Sequence, residues 1–161
     1  MKQRNMTSVF LRADNKILLL FRQGSKVVNN LWIGSAGGHF EEWELNDAKA
    51  CVLRELKEEL AVTEDMINNL KLRYIALRHV NGEVRINYYF FADLEGGVNR
   101  KLQSNEGRLQ WFAQEDIKAL EMPYTAKYVM EHYIDVGQYD DMLYGGIADG
   151  EKIVITAMPQ A

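Results

Sequence analysis

The sequence predicts an α+β fold in which a mixed β-sheet lies between helices. Two observations carry this expectation. Strand-like segments stand on both sides of one strongly helical stretch, and a second long helix follows toward the C-terminal end. Turn-forming pairs, above all Asn81-Gly82, separate the apolar runs that would form the strands. The chain of 161 residues has the length of one domain, spanning 1–161, and can bury a real core.

Residues 7–12 and 16–21 read as two strands joined at Asp14-Asn15, a turn-prone pair. Residues 31–33 read as a short strand entering a glycine turn at Ala36-Gly37-Gly38. Asn46 or Asp47 is suited to cap a helix that runs to about Leu60. Residues 70–79 and 84–93 form strands flanking Val80-Asn81-Gly82-Glu83, the strongest hairpin signal in the chain. Residues 109–113 read as another strand, 114–120 as a short helix, and 124–134 as a longer helix with Pro123 at its start. Residues 144–147 and 152–156 read as a terminal hairpin around Asp149-Gly150.

Hydrophobic content of 47% and charged content of 26% are ordinary for a soluble globular chain. The net charge is −4, and the acidic excess lies between His39 and Glu59. The rest of the chain is balanced, which argues against a nucleic-acid polymer or an acidic membrane surface as partner. The single cysteine, Cys51, excludes an intrachain disulfide and fits a reducing cytoplasm. Its place beside the apolar arc of the helix marks it as a small buried hydrophobe. No apolar run exceeds five residues, too short for a transmembrane helix, and the N-terminus lacks the apolar core of a signal peptide.

The segment from Gly38 to Val62 carries the chemistry. Arg54-Glu55-Leu56-Lys57-Glu58-Glu59 places three carboxylates within five helical positions. Residues three and four apart share a face, so Glu55, Glu58 and Glu59 span an arc of about 100°. Val52, Leu53, Leu56 and Leu60 cover the adjacent arc, which faces the core. Crowded like charges destabilise a helix. Hard cations such as Mg²⁺ or Mn²⁺ offset this, because they prefer carboxylate oxygens. A solvated charged face with an Arg54–Glu58 pair is the bland alternative. The glycines upstream favour chemistry on phosphates.

These residues resemble the Nudix hydrolases, whose pattern is G-x5-E-x7-R-E-U-x-E-E-x-G-U with U a bulky aliphatic. Gly38 and Glu44 match its first part, and Arg54, Glu55, Leu56, Glu58, Glu59 and Val62 its second. Nine residues separate Glu44 from Arg54 where the family has seven, Ala61 replaces a glycine, and Trp43 stands where glycine often precedes the first glutamate. The resemblance implies an α/β/α sandwich around a central mixed sheet. It implies that Glu58 and Glu59 bind the metal, that Glu55 is a ligand or base, and that Arg54 orients these carboxylates. The backbone of Gly37 and Gly38 would approach the metal or a phosphate. Glu106, before the strand carrying Trp111, would be an extra ligand or general base, and Arg22 would meet substrate phosphates.

Asn87 is a lone amide in the aromatic strand Ile86-Asn87-Tyr88-Tyr89-Phe90-Phe91, able to read a nucleobase edge with a donor and an acceptor. Trp32, Phe40 and Trp111 are candidates to stack on that base. His39, inside the box, is a candidate to line the site, whereas His132 reads as surface or packing. The MutT-like branch implies cleavage of a nucleoside triphosphate, with oxidised dGTP a candidate, to monophosphate and pyrophosphate. The alternatives are hydrolysis of ADP-ribose, a dinucleoside polyphosphate or a nucleotide sugar, a silent nucleotide-sensing module, and a plain structural or metal-binding helix. A small-molecule nucleotide is the expected partner, and a homodimer remains open.

Overall fold

A computed structural model describes residues 1–24 and 30–161. Its strands are β1 (Lys2–Ala13), β2 (Lys16–Arg22), β3 (Leu31–Ile33), β4 (Ala36–His39), β5 (Ile67–Val80), β6 (Glu83–Leu94), β7 (Gly107–Ala113), β8 (Leu143–Ala148) and β9 (Ile153–Met158). Its α-helices are α1 (Ala48–Leu60), α2 (Gln114–Ile117) and α3 (Tyr124–Asp135). The class is α+β, as expected.

The β1–β2 and β5–β6 hairpins turn where the sequence places them. Asp14 and Asn15 have φ of 52° and 61°, and Asn81 and Gly82 have 52° and 75°. Two successive left-handed residues give the turn whose twist matches that of the strands it joins. The sheet order is β3-β2-β1-β6-β5-β8-β9, with parallel pairing of β1 to β6 and of β5 to β8.

β1 organises the site. One edge pairs with β6 from Lys2 to Arg12. The other edge takes two partners in turn: Leu11 to Ala13 pair with β2, and Met6 to Val9 pair with β4. The sheet therefore forks along β1. β2 continues outward to β3 on one edge and β7 on the other.

Two cores flank the sheet. On one face Val9, Leu11, Leu18, Phe90 and Ala92 pack with Val52, Leu56 and Leu60 of α1. On the other, Phe10, Ile17, Leu19, Tyr89 and Phe91 pack with Ala126, Val129, Met130 and Tyr133 of α3. Successive residues thus serve opposite cores, which is why β1, β2 and β6 read as continuous apolar runs. Asp47 caps α1 by accepting from the Ala50 N–H at 3.0 Å. α2 is shorter than expected. The chain bends after Ile117, where Leu120 N–H bonds to its carbonyl, and Lys127 holds the Lys118 and Leu120 carbonyls.

One sequence expectation needs correction. The glycine segment is a strand, not a turn. Gly37 and Gly38 pair with Ser8 and Thr7 of β1, and a Cβ on Gly37 would collide with the Thr7 carbonyl oxygen. The glycines are there for close approach, and a strand without β-branched residues gives little sequence signal. Ala61, which takes the family's glycine position, ends α1 in the left-handed region with φ 53° and ψ 32°. A Cβ is disfavoured there by about 1 kcal/mol. Ala61→Gly should therefore raise the melting temperature by roughly 2–4 °C, read by thermal unfolding. A lower melting temperature would show that the alanine packs favourably enough to outweigh its backbone strain.

Candidate active site

The fork leaves a cleft of about 610 Å³ between β4, the ends of β2 and β3, the face of β6, α1 and the start of α3. Arg22, Gly37, Gly38, Arg54, Glu55, Glu58, Glu59 and Asn87 all line it. Residues from four separate elements, β2, β4, α1 and β6, thus meet at the place the sequence motif indicated.

Arg54 is the hub. Its Nε and Nη2 donate to the two oxygens of Glu44 at 2.8 and 2.9 Å, a bidentate pair. Its Nη1 donates to Glu55 Oε1 at 2.9 Å and Glu58 Oε2 at 3.1 Å, and Nη2 also reaches the His39 carbonyl at 3.1 Å. Glu44 is fully buried on the turn before α1, and its other hydrogen bond comes from the Glu41 N–H. The guanidinium holds the Glu44 carboxyl below its ordinary range. Glu44 meets Arg54 across the nine-residue gap. Trp43 is exposed beside it.

Glu55 and Glu59 are poised differently. Burial raises both carboxyl pKa values, and Glu59 reaches about 7. Glu59 Oε2 accepts from the Gly37 N–H at 3.0 Å, which offsets only part of the desolvation. Glu55 and Glu106 add like charge to it. A Cβ on Gly38 would collide with the Glu55 carboxylate, so only glycine allows this approach. Among the described residues no three carboxylate, His or Cys side chains converge as a finished metal site. Arg54 stands between Glu55 and Glu58, and Glu59 turns to Gly37. The donors are nevertheless hard oxygens carrying under-compensated charge, and they fit a divalent cation.

Arg22, at the end of β2, pairs with Glu106 at 3.2 Å, because the β2–β7 register sets Arg22 opposite Gly107. Its Nε is buried with no partner among the described residues. Asn87 lies half-buried on β6, across Met6 from His39. The expected stacking aromatics do not line the cleft: Trp32 packs on Phe21 and Phe112, Phe40 on Tyr88, and Trp111 in the α1-side core. Tyr89 and Tyr124 line it instead. His39 sits at the rim, while His132 bonds to Tyr74 and packs on Tyr144, away from the cleft. Sequence reasoning missed Arg78, Arg85 and Thr125, which line the far wall. The period-two spacing of Arg85 and Asn87 on one strand face was the available signal.

A model of the NUDIX domain matches residues 1–133, so the chain belongs to the Nudix family, hydrolases that act on pyrophosphate bonds. Members generally use divalent cations and small-molecule nucleotide substrates. The fold is similar to that of the mutator MutT protein from Bacillus halodurans, with 21% identity and a TM-score of 0.71 over 98% of this chain and 99% of that one. It is also similar to the ORF135 protein of E. coli, at 22% identity and 0.67 over 86% and 94%. The E. coli dihydroneopterin triphosphate pyrophosphohydrolase gives 16% identity and 0.66 over 84% and 99%. Comparison with curated proteins yields no match. Among the described residues no helix is long and apolar enough to cross a membrane.

The Glu59 carboxyl generates a pH dependence. Its pKa rises from 4.5 to about 7 on folding, so the folded protein binds more protons across that window. Stability therefore falls as pH rises from about 4.5 to 7, and the penalty is complete above that range. In metal-free protein Glu59→Gln should melt higher than wild type at pH 8, with the difference shrinking toward pH 5. A pH-independent difference would remove Glu59 as the titrating group.

Proposed function

We propose that this protein is a Mg²⁺- or Mn²⁺-dependent pyrophosphohydrolase of nucleoside triphosphates, releasing monophosphate and pyrophosphate, with oxidised dGTP among the candidate substrates. The observation that carries this reading is a single cleft holding both the box carboxylates and the Asn87 amide. Similarity to a MutT protein along nearly the whole chain supports the substrate class. The sensing alternative has less support, since every box acid is present and lines or borders the cleft.

Glu55, Glu58, Glu59 and the backbone of Gly38 would hold the cation. When bound, it neutralises phosphate charge and lowers the pKa of an attacking water. Arg54 keeps Glu55 and Glu58 oriented. Glu55, which lines the cleft, or Glu106, which pairs with the cleft-lining Arg22, accepts the proton released by the water. Arg22 offers its unpartnered Nε to phosphate oxygens. Asn87 reads the base edge, and Tyr124 or Tyr89 supplies the aromatic surface. β8 and β9 extend the same sheet as β5, which supports one domain over 1–161. The buried free Cys51 supports a reducing, cytoplasmic setting.

The test is kcat/KM for oxidised and normal dGTP, dATP and dCTP in three proteins. Glu59→Gln should lose about 10²-fold or more on every substrate. Asn87→Ala should lose roughly 10–100-fold on the preferred base and little on poor substrates. An equal loss on all bases would make Asn87 structural. Turnover of ADP-ribose but of no triphosphate would overturn the substrate class.

A further inference from the structure

The wall of the cleft opposite the box has the opposite charge. Pairing places Arg4 of β1 opposite Arg85 of β6, and Arg85 opposite Arg78 of β5. Three arginines thus stand in one row across three adjacent strands. Like charges directly opposite one another destabilise a sheet. One buried carboxylate, Glu83, serves the row, accepting from Arg85 at 2.8 Å and lying 3.6 Å from Arg4. Arg78 has no acidic partner among the described residues, and its guanidinium lies 5.0 Å from the centre of the Tyr124 ring.

Tyr124 opens α3, whose start faces the same wall. The first intrahelical bond runs from Lys127 N–H to the Pro123 carbonyl, so the amides of Tyr124, Thr125 and Ala126 have no helical partner. Thr125 is more than nine-tenths buried and lines the cleft, where its hydroxyl adds a donor. Under-compensated arginines, orphan amides at a positive helix end and the Thr125 hydroxyl are all donors. A neutral nucleobase leaves this charge unanswered.

We propose that Arg78, Arg85, Thr125 and the start of α3 form a second anion-binding subsite, so the substrate carries a second phosphate or carboxylate remote from the scissile pyrophosphate. This rests on the pyrophosphohydrolase reading above and departs from its triphosphate candidates, since a plain nucleoside triphosphate such as oxidised dGTP carries no second anion. Strand geometry sets the separation. The arginine row lies three residues along β6 from the Gly38–Thr7–Tyr88 row and two strands across from Gly38. The two anions are therefore roughly 10–15 Å apart.

The test is equilibrium binding by calorimetry in EDTA, where nothing turns over. Two matched pairs serve as probes: ADP-ribose with and without a 2′-phosphate, and UDP-glucuronate against UDP-glucose. The charged member of at least one pair should bind about tenfold tighter or more, the factor one charge-assisted hydrogen bond supplies. The pair that responds identifies phosphate or carboxylate. In Arg78→Gln the ratio should collapse toward one, and Arg78→Lys should restore part of it. Relief of like charge should leave Arg78→Gln melting at or above wild type, and Arg85→Gln provides a second variant. Ratios near one in both pairs, no binding of either charged probe, or a ratio unchanged in Arg78→Gln and Arg85→Gln would overturn the subsite. A preserved ratio with no hydrolysis of any nucleotide would instead sink only the hydrolase reading.

Discussion

The bidentate pair between Arg54 and Glu44 is the interaction on which the site depends. Glu44 is fully buried and Arg54 largely so, and together they pin the turn before α1 to the helix. Loss of either partner leaves an uncompensated buried charge, which costs about 3–5 kcal/mol. The same guanidinium then reaches Glu55, Glu58 and the His39 carbonyl. One side chain thus links the end of β4, the turn before α1 and a full turn of α1. It leaves Glu59, the most strongly perturbed of the box acids, without a cationic partner of its own beyond the nearby Arg22. That imbalance suits a site that receives a cation with its substrate.

The second constraint is the fork along β1. A strand that exchanges one neighbour for another along the same edge must open a gap, and here the gap is lined by glycines. Gly37 and Gly38 let β4 lie close to β1 and let the Glu55 carboxylate approach the backbone. Because β1 also pairs with β6, the opening connects the acidic wall on α1 to Asn87 and the arginine row. The two walls have opposite charge, so the cleft is polarised along the length of a bound nucleotide.

Much of this was legible in the sequence. The hairpins at Asp14-Asn15 and Asn81-Gly82, the Asp47 cap and the apolar arc of α1 are local features governed by local rules. The box acids were legible because a helix fixes their relative placement. The strand at Ala36–His39 was not, since its stability comes from pairing with β1 rather than from its own residues. The stacking role assigned to Trp32, Phe40 and Trp111 failed for a similar reason. Aromatic content does not say which face is turned inward: Trp32 and Trp111 pack against the two cores and Phe40 against Tyr88, while Tyr89 and Tyr124 face the cleft. The arginine row was only partly legible: Arg78 and Arg85 face each other across the hairpin at Asn81-Gly82, but Arg4 joins them through a parallel pairing of β1 with β6, which no short-range pattern encodes.

The most direct test of the account is cleavage of a nucleotide panel in ¹⁸O-labelled water with added Mg²⁺ or Mn²⁺, with products identified by mass. The account predicts metal-dependent cleavage of a phosphoric anhydride bond, with one ¹⁸O atom in a single phosphate-bearing product. Absence of cleavage across the panel, or cleavage that proceeds equally in EDTA, would contradict it.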